Sequence, residues 1–151
     1  MKPRLILLLL SISTNAVSQF NFTFPDQWTK DFRVEVSGKG GMRDTETSIR
    51  FTYDSCVFMN RVDSDIRKNA FVVTDKQRSE IFEMLKKLKS DPIGSVVVTL
   101  DKGSSSIVLR NGDGIFAVTD DTDNEEIKRD FHEVYNYLVE FAMPNGKKRR
   151  K

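Results

Sequence analysis

The chain has 151 residues, 24 Lys+Arg against 22 Asp+Glu, one histidine, one cysteine and a formal net charge of +2. With Lys2, Arg4 and the terminal run Lys147-Lys148-Arg149-Arg150-Lys151 set aside, 17 basic residues face 22 acidic ones, so the basic character is terminal and the body is mildly acidic. That distribution argues against a nucleic-acid-binding domain. A lone cysteine excludes an intrachain disulfide, and one histidine with no second imidazole leaves a histidine metal site or a Cys–His pair little to work with.

Met1-Lys2-Pro3-Arg4 precedes the apolar run Leu5–Leu10, and small or polar residues follow up to Ala16-Val17-Ser18. A cationic end, a short apolar stretch and an A-x-S site form an export signal over residues 1–18. The apolar run is shorter than the roughly 20 residues a membrane span requires. The expected address is therefore periplasmic or extracellular, with a mature chain starting near Gln19. Its roughly 130 residues suit one core. Cys56 reads as a small buried hydrophobe.

Residues 19–30 form an aromatic lead-in, with Phe20, Phe22 and Phe24 alternating and Trp28 the sole tryptophan. Such a segment is ordered only when its rings dock, so a packed lid is expected. Phe32, Val34 and Val36 alternate with polar neighbours, as do Ile49, Phe51 and Tyr53, and both stretches read as half-buried strands. Between them lies the polar, Gly-rich stretch 38–47, read as a long loop of about ten residues against the usual 2–5 of a hairpin. Lys39, Gly40, Gly41, Met42 and Arg43 are its candidate binding residues. No G-x-x-x-x-G-K-[ST] pattern is present, so a phosphate cradle is excluded.

Cys56–Met59 reads as another strand, and Asn60–Ala70 as a loop or ragged strand end. Thr74-Asp75-Lys76-Gln77 fits a capping box. Ile81, Met84, Leu85 and Leu88 then make one apolar stripe, and Asp91-Pro92 ends the helix. The strongest local signal runs from Ser95 to Thr119, where three apolar runs separated by two Gly-containing turns predict a three-stranded meander. Asp120–Glu126 fails as an EF-hand, with Glu126 at the Gly position and His132 at the final Glu position. Asp123 is the expected N-cap of the last helix, whose stripe is Ile127, Phe131, Val134, Leu138 and Ala142. Residues 144–151 read as a basic solvated tail.

Lys30-Asp31-Phe32, Gly40-Gly41-Met42 and Asp101–Ile107, in this order of elements, resemble a group of small exported bacterial proteins of unknown function. More remotely, a strand ending at Gly40-Gly41, a Thr-capped helix, a hairpin and a final helix are similar to emfourin-type inhibitors of metalloproteases. That resemblance implies an inhibitor acting through a projecting loop.

The expected fold is a single α+β domain over 31–143, with an antiparallel sheet of five or six strands and two amphipathic helices on one face. No nucleophile elbow, Cys/His cluster or cofactor loop is present, and no cofactor or metal is expected. The functional expectation is a non-enzymatic exported binding domain, monomeric, with an unknown protein partner. The alternative is a small hydrolase using turn carboxylates, Asp54 or Asp113.

Overall fold

The computed structural model describes residues 22–40, 44–90, 105–120 and 124–143. Strand β1 (Phe32–Lys39), β2 (Thr45–Phe51), β3 (Ser55–Val62) and β4 (Asp65–Val72) form an antiparallel series of hairpins. Helix α1 (Asp75–Leu85) continues as a 3-10 turn over Lys86–Ser90, and the hairpin β5 (Ser106–Asn111) and β6 (Gly114–Thr119) precedes helix α2 (Glu125–Ala142). The six strands form one sheet in the order β4-β3-β2-β1-β5-β6. This is the expected α+β architecture.

Alternation fixes the two faces of the sheet. The register sets Val34 between Phe51 and Leu109, and Val36 between Ile49 and Ile107. Cys56 and Phe58 carry the same face into β3. All eight of these side chains are buried, and the helices cover them. α1 contributes Ile81, Phe82 and Leu85, while α2 contributes Phe131, Val134, Leu138 and Ala142. Ring contacts show that both helices lie on this face. Phe82 of α1 meets Phe32 edge-on at 5.6 Å, and Phe141 of α2 lies 6.0 Å from Phe51.

The capping box is formed as expected. The Gln77 N–H donates to Thr74 Oγ1 at 3.3 Å, and the Thr74 N–H donates to Gln77 Oε1 at 3.0 Å. Arg78 ties α1 to the β2–β3 turn, donating to the Tyr53 carbonyl at 2.6 Å with its guanidinium 3.8 Å above the Tyr53 ring. The described part of the lead-in is docked. Phe24 lies 5.2 Å from Phe82, Phe22 lies 5.7 Å from Phe116, and Trp28 Nε1 donates to the Phe32 carbonyl at 3.0 Å.

Four expectations are corrected. Residues 60–70 are the end of β3 and most of β4, closed by a two-residue turn with Asp63 at φ 54°. The alternation was hidden because β4 is an edge strand with little helix above it, so its inner positions Asp65, Arg67 and Asn69 are under no pressure to be apolar. The loop after β1 is five residues, Gly40 to Asp44, because Gly38 and Lys39 belong to β1 and Thr45, Glu46 and Thr47 to β2. The N-cap of α2 is Asn124, whose Oδ1 accepts from the N–H groups of Glu126 and Ile127. Finally, β5 lies between β1 and β6, so both its edges are taken and it is not the middle of a sequential three-stranded meander. The first expected meander strand, 95–100, lies outside the described residues, as do the export signal 1–18 and the tail 144–151.

Candidate functional site

The β1–β2 tip stands at the end of the sheet where β3 turns into β4 and α2 begins. Gly40 has φ 152°, a conformation essentially restricted to glycine. Its N–H donates to the Thr45 carbonyl at 3.2 Å, and the Thr45 hydroxyl donates back to the Gly40 carbonyl. The pair Gly40–Thr45 therefore closes the hairpin. Lys39 precedes it, exposed; Gly41, Met42 and Arg43 lie outside the described residues.

The far side of the tip is braced. The Asp63 N–H in the β3–β4 turn donates to the Asp44 carbonyl at 2.9 Å. Arg61, directly across from Glu46 in the register, approaches the Glu46 carboxylate at 3.1 Å and that of Asp44 at 3.4 Å. Its Nε is buried and has no hydrogen-bond partner. Pairs this exposed contribute only about 0–1 kcal/mol each. Their importance is geometric, since they fix two loops to one another. Sequence reasoning missed Asp44, Glu46, Arg61 and Asp63, because a cross-strand charge pair is visible only once the register is known.

Beside the tip, the inner face beyond the helices is polar. Thr47 Oγ1 lies 3.4 Å from Asn60 Oδ1. Next to it, Asn60, Val62, Asp65 and Arg67 line a shallow concavity of about 230 Å³.

The alternative carboxylates are placed apart. Asp54 sits in the β2–β3 turn, accepting from Thr52 Oγ1 at 3.2 Å, and its carbonyl accepts from the Val73 N–H. Asp113 sits in the β5–β6 turn. Three strand spacings separate those turns in the sheet order, or about 14 Å, too far for two carboxylates to act on one bond. Asp120 accepts from the Ser105 N–H at 3.1 Å, so its carboxylate is part of the β5–β6 pairing. Cys56 is buried in the sheet, where loss of hydration pushes its thiol up to about 12, whereas His132 is exposed on α2. Among the described residues, no group of three or more His, Cys, Asp or Glu side chains could hold a metal ion. Nor, among them, is any helix long and apolar enough to cross a membrane.

The described residues define a helix-backed antiparallel sheet whose β1–β2 hairpin is braced from the β3–β4 turn. No protein-family model matches the chain, and no curated protein matches its sequence.

Proposed function

We propose that the protein is an exported, non-enzymatic binding domain that engages a protein partner through the β1–β2 tip, with Lys39, Gly40, Gly41, Met42 and Arg43 as the contact segment. The observation that carries this reading is the brace under the tip. Asp44 is held by the Asp63 N–H and, with Glu46, by Arg61. A hairpin whose β2 flank is fixed loses less conformational freedom on docking than an unbraced loop, and this raises affinity without new contacts. Protease inhibition is the sharpest form of the proposal. It is supported by the resemblance to emfourin-type inhibitors and by the same need for a stiff projecting loop.

The test has two arms. The exported fraction of the source is passed over immobilised full chain, the captured partner is purified, and its affinity is measured by calorimetry; metalloproteases are assayed in parallel. Triple replacement of Lys39, Met42 and Arg43 by alanine is expected to reduce affinity at least about tenfold, with the circular dichroism spectrum unchanged. Arg61→Met, which removes the brace but no contact residue, is expected to weaken binding by a smaller factor. Unchanged affinity in the triple variant overturns the proposal.

A further inference from the structure

At one edge of the described sheet lies β4. It is eight residues long, Asp65–Val72, and among the described residues no strand lies beyond it. The apolar side chains on its helix-free face are bare, Val72 being 73% and Ile66 58% exposed. The far edge of the sheet differs, since β6 buries Gly114, Ala117 and Val118. A long bare edge presents unpaired backbone N–H and C=O groups and is a template for another strand.

The hydrogen-bonding phase of this edge follows from its turn. The two-residue turn Asp63-Ser64 closes on the Val62–Asp65 pair, and at the other end the Val73 N–H bonds the Asp54 carbonyl. Narrow and wide pairs alternate in an antiparallel ladder. Residues 65, 67, 69, 71 and 73 therefore direct their backbone groups to β3. Ile66, Lys68, Ala70 and Val72 direct theirs outward.

We infer that the β4 edge pairs antiparallel with β4 of a second copy of this chain, about a two-fold axis at Asn69. A symmetric pairing must set outward-bonding residues opposite one another, which leaves three registers near the middle of the strand. Centred on Lys68, the two ammonium groups face each other, a destabilising arrangement. Centred on Ala70, Lys68 faces Val72, and Ile66 runs past the strand end to Thr74. Centred on Asn69, Ile66 faces Val72 twice over, Lys68 faces Ala70, and Arg67 faces Phe71, a cation against an aromatic ring.

Only this last register matches apolar with apolar and opposes no like charges. It covers both bare side chains at once. The faces also agree, since inner residues meet inner residues, so the sheet continues into its copy with the helices on the same side. This departs from the monomer expected from sequence. It is independent of the tip proposal, because none of the tip residues lies on this edge.

The test is sedimentation of the full chain over a range of concentrations. The wild type is expected to form a dimer. Ala70→Pro deletes one outward N–H without touching the β3 ladder, a substitution that edge strands tolerate. Val72→Lys sets a cation against Ile66 in each pair. Both are expected to be monomeric with the wild-type circular dichroism spectrum, and Val72→Lys carries the test if the proline variant does not fold. Asn69→Cys reads the register. Residues at a two-fold in a wide pair have Cα atoms about 4.5 Å apart, within disulfide range. That variant is expected to cross-link under mild oxidation, whereas Arg67→Cys, placed opposite Phe71, is not. A wild type that stays monomeric up to roughly 1 mM overturns the inference. So does a dimer that survives both edge variants, or one that cross-links through residue 67 and not 69.

Discussion

The inner face of the sheet is apolar along β1 and polar along most of β4, although both strands are eight residues long and belong to one sheet. In β1 the inner side chains Phe32, Val34 and Val36 are at most 1% exposed. In β4 the corresponding residues are Asp65, Arg67 and Asn69, with only Phe71 apolar, beneath Phe141 at 5.9 Å. The difference lies in the cover. Hydrophobic stabilisation scales with area withdrawn from water, and the helices withdraw it only over the centre of the sheet. Beyond Cys56, Phe58 and Phe71 the β3–β4 wing is held chiefly by its backbone ladder, so a polar side chain there, such as Arg61, can brace a loop.

The largest expected effect comes from opening that cover. Phe131 is fully buried on α2, and its ring lies 5.5 Å from that of Tyr135. Phe131→Ala should lower stability by about 3–5 kcal/mol, read from the denaturant midpoint. A loss under about 1 kcal/mol would mean that the helix layer does not hold the centre of the sheet, and the contrast with the wing would fail.

A smaller effect is expected where α2 comes closest to β1. A Cβ added at Gly38 would lie 2.2 Å from Tyr135 Oη, 3.4 Å from its Cζ and 3.5 Å from Ser105 Oγ. Gly38→Ala should therefore cost about 1–3 kcal/mol by overpacking. In a Tyr135→Phe background the first contact is gone, and most of the loss should return. Equal losses in the two backgrounds would show that the cost arises elsewhere than at this crossing.

Gly38 also shows how far the sequence is legible. In a Gly-rich stretch it reads as a loop residue, yet it is a strand residue whose missing side chain admits a tyrosine nearly a hundred positions away. No local pattern carries that information. The capped helix α1, the stripe of α2 and the strands β1 and β2 were legible because each repeats at the period of its own element. β4 was not, since alternation marks only strands with one covered face. The order of β5 was missed because its turn to β6 is local, whereas its pairing with β1 spans a sequence distance that turn signals do not encode. Of the candidate site, Lys39 and Gly40 are proposed from glycine and charge alone. Asp44, Glu46, Arg61 and Asp63 were not legible, because their roles depend on strand register.

Cys56 lies where the cover ends, and it gives the finest test of the boundary. It is fully buried on β3, between Phe51 of the covered centre and the half-buried Phe71 of β4. Loss of hydration pushes its thiol from near 9 up to about 12. The folded state thus holds the proton more tightly than the unfolded chain does. The associated stability is complete below pH 9 and is lost as pH rises from 9 towards 12, with a slope approaching about 1.4 kcal/mol per pH unit. Lysines and tyrosines also titrate there, so the quantity to measure is the stability of wild type minus that of Cys56→Ala from pH 8 to 10.5. That difference should be flat to about pH 9 and then fall. A difference that stays flat throughout would mean that water reaches the thiol in the folded state, and that the dry centre of the sheet stops at β2 rather than β3.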